Sequence, residues 1–460
     1  MRVHHTCFLL LAVLMGCTQH ETKNTKPSEI SLPHKPNIIV LLTDQERHPA
    51  HWPQGWPEKN LPSAMRLKQN GLTFHRAYTA ASECSPSRAV IMTSEHYPVN
   101  GVEHTPPPAA GLPTAKQLMD IGALLKEQAG YDVVWKGKWH LDYALAGASN
   151  WAEGDIANLD KKYDLADWNP PDAGNAIMEF QVRAGKEFNG LTTLGGGYAD
   201  NDGRYVQGVS KNNLKQTQGF GESVLDYLAK VKAADPKSLR PFCLFISLVN
   251  PHDVWVYPPS WKDAGYDQNL FADVGIDLPD NFDDSLSTKP SIQAKARDTF
   301  NAQSPLENRQ AEKEYVNFYA YLHTVVDKHI VTILDALEAS GLTGDTVIIR
   351  MADHGELGLS HGMREKAYTM YEEMIHIPLI VSNPKMYPAA QNTDAFYCHL
   401  DLLPTLAELA GVPNFSSYGK GVSIVPVLKD PTASVQDSIL FTYDDLFVLP
   451  AKTPGGHIRA

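Results

Sequence analysis

A cysteine stands alone in "ECSPSRAVIMTS", two residues before Pro86 and four before Arg88. The other cysteines are Cys7, Cys17, Cys243 and Cys398, too far apart to frame a disulfide-stapled fold. Cys243 sits in the apolar run "PFCLFISLV" and reads as a small buried hydrophobe, whereas polar, turn-forming residues surround Cys84. Two acidic pairs end apolar runs: Asp44-Gln45 after "NIIVLL" and Asp353-His354 after "TVIIRMA". Either aspartate alone reads equally well as a helix N-cap. Together, Asp44, Gln45, Asp353 and His354 make an oxygen-rich set with one imidazole, which suits Ca²⁺ or Mg²⁺ better than Zn²⁺. Cations recur beside them. Lys138 and His140 are two apart in "GKWHL", so an extended segment points both the same way, with Trp139 opposite. His252 follows a buried run in "NPHD", and Arg364 and Lys366 follow the 353–362 loop. Each of these has a bland reading, as loop-edge charge, surface charge or a structural histidine. Jointly, Arg88, Lys138, His140, His252 and Lys366 around a divalent cation describe a pocket for a tetrahedral oxyanion with a proton-transfer group at hand.

Distant parts of the chain must meet for this to work. "NIIVLL" (37–42), "DVVW" (132–135), "PFCLFISLV" (241–249), "TVIIRMA" (346–352) and "IPLIVS" (377–382) read as strands, mostly buried on both faces. Helical periodicity marks 114–131, closed by Gly130, and 311–340, closed by Gly341. Strands alternating with helices predict a mostly parallel α/β sheet with helices on both faces. Ligands in such sheets bind beyond the carboxyl ends of the strands. Asp44, "GKWH", "NPHD" and Asp353 all fall on that rim. Residues 142–215 and 258–307 are less regular and read as insertions near the site mouth.

With 53 acidic against 40 basic residues, a net charge of −13, the chain does not read as a nucleic-acid binder. A few local cations can still make one pocket welcome an anion. The N-terminus reads as an export signal, with Arg2, an apolar run from Phe8 to Met15, then Leu14-Met15-Gly16-Cys17. That end resembles a bacterial lipobox. It predicts a signal peptide over 1–17, a membrane anchor through lipid on Cys17 and a flexible tether over 18–34. The expected location is the outer membrane or periplasm of a bacterium.

Six segments, in order from about 35 to 430, resemble the type I sulfatases of the alkaline phosphatase superfamily. "CSPSRAVIMT" (84–93) is similar to that family's C-x-P-S-R signature, and "KPNIIVLLTDQ" (35–45) to its first metal strand. "GYDVVWKGKWHL" (130–141), "NPHD" (250–253), "ADHGELGLSHGMREKAYTMYEE" (352–373) and "CHLDLLPTLAELAGV" (398–412) follow the same pattern. The resemblance implies that a maturation enzyme oxidises Cys84 to formylglycine (3-oxoalanine). The hydrated aldehyde attacks sulfur through one hydroxyl, and deprotonation of the other re-forms the carbonyl and expels sulfate. It implies metal ligation by Asp44, Gln45, Asp353, His354 and modified Cys84, and orientation of the diol by Arg88. Lys138 and Lys366 would clamp the sulfate, His140 would act as the base, and His252 would protonate the leaving alcohol. A sulfated glycan is the implied substrate class. Gln45 departs from the family's commoner second aspartate, and "TSEHYP" (93–98) from its T-G-R-x-P. Residues 431–460 read as the start of an incomplete C-terminal antiparallel subdomain. Related members hydrolyse phosphonate monoesters or phosphodiesters on the same scaffold, and Lys138 with His140 favours the sulfatase reading. A catalytically inactive glycan-binding lipoprotein is the rival from another class.

Overall fold

The computed structural model describes residues 30–443 and 458–459, except 50, 106–110, 115–116, 143–152, 170–201, 203–205, 208–221, 236–237, 263 and 367. The signal peptide and most of the tether lie outside the described residues. Eight strands form one sheet, β1 (Asn37–Asp44), β2 (Gly71–Tyr78), β3 (Asp132–Gly137), β4 (Ala166–Asn169), β5 (Phe242–Pro251), β6 (Thr346–Ala352), β7 (Leu379–Ser382) and β8 (Gln391–Cys398). Their spatial order is β4-β3-β5-β1-β6-β7-β2-β8. Only β7 runs antiparallel to its neighbours. The fold is the mostly parallel α/β sheet expected from the apolar runs.

β1 shows why its sequence is a continuous apolar run. Ile38, Val40 and Leu42 pack on one face with Leu402, Leu403 and Leu406, while Ile39 and Leu41 pack on the other with Ile330, Ile333 and Leu337. Both faces are covered, so Ile38 to Leu42 leave no position for a polar residue. Each such side chain contributes about 1.5–3 kcal/mol on burial. The helices that cover the sheet are α1 (Pro62–Gln69), α2 (Cys84–Thr93), α3 (Val224–Ala233), α4 (Arg309–Ser340) and α5 (Leu402–Leu409). α4 starts where Asn308 accepts hydrogen bonds from the amides of Gln310 and Ala311, and stops at Gly341 with φ of 77°.

Several elements differ from the sequence reading, among them β4, which lies in the stretch read as an irregular insertion. The helix expected over 114–131 is shorter: Asp120 accepts from the Ala123 amide, so a new helix begins at Ile121. Aspartate is a strong N-cap, and here it resets the start that the apolar spacing alone placed earlier. β2 and β8 carry polar residues among the apolar ones and were not legible as strands. Residues 258–307 include a helix, Ser291–Gln303. Ile458–Arg459 pairs antiparallel with Thr442–Tyr443. Among the described residues, no helix is long and apolar enough to cross a membrane.

Candidate active site

Asp44 ends β1, and Asp353 follows β6. The two strands pair in register, Thr43 opposite Ala352, so both aspartates leave the sheet side by side. Helix α2 opens with Cys84 facing them. Ligand atoms of Asp44, Cys84, Asp353 and His354 all lie within 4.8 Å of one another, and all four residues are buried. His354 Nδ1 is 2.9 Å from the Gly355 carbonyl. A carbonyl only accepts, so Nδ1 carries the proton and Nε2 turns its lone pair into the group, 3.2 Å from Cys84 Sγ. A metal-binding imidazole needs this tautomer, held by a backbone carbonyl behind it.

Arg88 joins the two carboxylates from below. Its Nη2 donates to Asp44 Oδ2 at 2.8 Å and its Nε to Asp353 Oδ2 at 3.1 Å, while Nη1 donates to the Lys138 carbonyl and to Ser247 Oγ, each at 2.9 Å. A planar fork with fixed donors can hold four acceptors at once; a lysine could not. Lys138 Nζ lies 2.7 Å from Asp44 Oδ2, a buried ion pair not aligned as a hydrogen bond. Burial opposes ionisation of Asp44, yet Lys138, His252 and Arg88 hold its carboxyl well below the ordinary range. At Asp353 the balance reverses, because burial and the adjacent Asp44 raise it. Burial, then Asp44, push the Cys84 thiol up to about 11.

Gln45 was expected to turn its carbonyl oxygen to the metal. That oxygen instead accepts from Lys366 Nζ at 2.5 Å. The amide nitrogen donates to Glu356 Oε2 at 2.5 Å and Glu365 Oε2 at 3.2 Å. A cation on one side and two carboxylates on the other fix which way the amide points. Only its backbone N–H reaches the ligand group, donating to Asp353 Oδ1 at 3.0 Å. Burial pushes Glu365 up to about 7, with Lys366 pulling against it and Glu356 adding to it. Burial works against the charge on Lys366, but Cys84, Glu365 and Asp44 hold it above the ordinary lysine range.

His140 and His252 are both buried at this edge. Burial, then Lys138 and Arg88, keep His140 well below the usual histidine range. Burial, then Lys138 and Lys366, do the same for His252. Both imidazoles are therefore neutral near pH 7. Arg364 points elsewhere, donating to the carbonyls of Phe300 and Ser304.

Sequence reasoning missed the supports. Ser247 holds Arg88, while Glu356 is itself pinned by Tyr315 Oη at 2.8 Å and the Glu365 amide at 2.9 Å. His399 donates from Nε2 to the Ala352 carbonyl at 2.9 Å, which leaves Nδ1 as an acceptor 3.1 Å from the hydroxyls of both Ser87 and Thr79. Ser87 Oγ donates its proton to the Asp353 carbonyl at 2.6 Å. Glu356 and His399 fall inside segments quoted above, but nothing in their residue type separates them from surface or capping residues.

Comparison with known proteins gives the family of the chain. The family model "Sulfatase" matches residues 36–412. An N-acetylglucosamine-6-O-sulfatase of Bacteroides thetaiotaomicron is 24% identical, over 97% of this chain and 79% of the relative. A solved structure of a protein in complex with its substrate D-glucosamine-2-N,6-O-disulfate superposes with a TM-score of 0.62 at 18% identity, covering 92% of this chain and 86% of that one. The phosphonate monoester hydrolase of Agrobacterium radiobacter shares the fold with a TM-score of 0.58 at 17% identity, covering 89% and 80%. With the model spanning the strands, the buried ligand group and the flanking lysines, the chain belongs to the sulfatase family, as a type I sulfatase of the alkaline phosphatase superfamily and a sulfuric ester hydrolase.

Proposed function

We propose that this protein hydrolyses sulfate esters of glycans, using an oxidised Cys84 at a hard divalent cation. One observation carries the reading: two carboxylates, a lone-pair-presenting imidazole and Cys84 converge in a buried group flanked by Lys138 and Lys366. Asp44, Asp353 and His354 would hold Ca²⁺ or Mg²⁺. The hydrated aldehyde derived from Cys84 would supply the attacking oxygen, and the cation would hold and acidify it. Arg88 keeps both carboxylates in place and offsets their charge. Lys138 and Lys366 stand on two sides of the group, where a sulfate would meet both cations. His140, neutral and buried, is set to accept a proton. Burial, then Lys138 and Lys366, keep His252 deprotonated, and an anionic substrate between the lysines would offset the lysines' share. His252 is then the donor to the leaving oxygen. Gln45 acts through Lys366 and supplies no ligand oxygen in this reading.

Two of the proteins named above, the N-acetylglucosamine-6-O-sulfatase and the one bound to D-glucosamine-2-N,6-O-disulfate, take sulfated glucosamines, which supports a sulfated saccharide as substrate. The experiment is sulfate release from a panel of defined saccharides, including 6-O-sulfated N-acetylglucosamine, beside phosphonate monoesters. Preferential release from one sulfated sugar supports the proposal. Turnover of phosphonates alone would move the protein to the second reading, which the Agrobacterium neighbour's fold keeps in play. Elemental analysis of protein purified without chelator is expected to show about one calcium or magnesium per chain. Stoichiometric zinc needed for activity would overturn the metal assignment. We further propose export and lipid anchoring through Cys17, motivated by the lipobox-like "LMGC". Membrane-fraction recovery that survives in the wild type and is lost in Cys17→Ala tests it.

A further inference from the structure

Strand β5 does not end as its neighbours do. From Ile38 to Thr43, β1 pairs residue by residue with Cys243 to Leu248, but Asp44 pairs with Pro251. Val249 and Asn250 are therefore extra residues on β5, a bulge placed opposite Asp44. A bulge takes amides out of the ladder, and buried amides need acceptors. Both find the same one. Val249 N donates to Asp202 Oδ1 at 2.6 Å and Asn250 N to Asp202 Oδ2 at 3.0 Å. Asp202 is 1% exposed. On the other side of His252, Tyr266 Oη donates to Asp253 Oδ2 at 2.5 Å. The chain is thus tied on both sides of Pro251-His252, through two backbone amides before it and the Asp253 side chain after it. His252 Nδ1 has no hydrogen-bond partner among the described residues, so this backbone, not a side-chain bond at Nδ1, sets where the ring stands.

We propose that Asp202 is a positioning residue for the reaction: by capturing the two amides freed at the bulge, it fixes His252 relative to Asp44 and the leaving oxygen. The proposal rests on His252 being the proton donor. Two acceptor oxygens at fixed separation are what the job needs. An asparagine keeps the shape but offers one acceptor, leaving a buried amide facing an NH₂ group. The local backbone would then shift, and a displacement of ~1 Å in a reacting group costs about 10²-fold in rate.

The test measures rates across a series of aryl sulfates of rising leaving-group pKa for wild type, Asp202→Asn, His252→Ala and the double variant. Asp202→Asn is expected to slow the poorest leaving group by about 10²-fold and the best much less, steepening the series as His252→Ala does. In the His252→Ala background it should steepen nothing further, and metal content should stay that of wild type. If His252→Ala leaves the slope unchanged, the donor assignment fails and the proposal with it. If His252→Ala steepens the series but Asp202→Asn slows every substrate equally, or sheds the metal, the positioning role alone is overturned. Should Asp202→Asn not fold, Asp202→Ser, which still accepts one amide, is read by the same criteria.

Discussion

The two lysines beside the ligand group are held in different ways. Lys138, just past β3, is paired directly with Asp44, one of the candidate metal ligands. Lys366, on the loop after β6, is paired with the neutral amide of Gln45 and with Glu365, neither of which belongs to the ligand group. Lys138 is thus part of the electrostatics that keep Asp44 ionised, whereas Lys366 is held at close range by Gln45 and Glu365 and feels Cys84 and Asp44 from further off. Residues of one type, on two sides of one site, differ in what their removal uncovers. Losing Lys138 strips a counter-charge from a ligand. Losing Lys366 leaves Gln45 and Glu365 without a cation, while Asp44 keeps its direct pairs with Lys138 and Arg88.

The largest expected effect erases the comparison. Cys84→Ala should fold and yet lose about 10⁶-fold in turnover, the scale on which removing a covalent nucleophile acts. A variant that kept more than a trace of wild-type rate would remove the reason for both lysines to face this point. Next comes His252→Ala, expected to slow sugar sulfates by ~10²–10⁴-fold and an activated aryl sulfate much less, since only a poor leaving group needs the proton. If that variant leaves the leaving-group slope unchanged and Lys366→Ala steepens it, the proton comes from the Lys366 side. Lys138→Ala should slow good and poor leaving groups alike, by about 10²–10³-fold, through lost oxyanion stabilisation. The smallest effect sharpens the contrast most. Gln45→Ala should cost about 10-fold, the worth of a hydrogen bond to a charged group. In double-mutant cycles it should couple to Lys366→Ala and add independently to Lys138→Ala. Coupling to Lys138 instead would mean that Gln45 does reach the metal.

What the sequence showed and what it hid follow from how each group is held. Asp44 and Asp353 were legible because they end long apolar runs, and a parallel sheet brings strand ends together. Cys84 and Arg88 were legible through their resemblance to the sulfatase C-x-P-S-R signature. The partners of the Gln45 side chain, Glu356, Glu365 and Lys366, were hidden because they lie more than 300 residues away, and only its neighbour Asp44 was in view. β2 and β8 escaped because each mixes polar with apolar residues. Asp202 was hidden in a Gly- and Asn-rich stretch, where one more aspartate carries no signal. Its acceptors matter only because β5 bulges, and a bulge leaves no mark in residue type.

The claim beneath all of this is that Cys84 serves as an aldehyde and not as a thiol. Its buried environment, which pushes the thiol up to about 11, does not suit a sulfur nucleophile. The most direct measurement is mass spectrometry of the peptide containing Cys84, with hydrazide trapping, on preparations matured to different extents by a formylglycine-generating enzyme. The trapped aldehyde fraction should rise in proportion to specific activity on the best sulfated saccharide and be absent from Cys84→Ala. Full activity in a preparation whose Cys84 is entirely thiol would contradict the account.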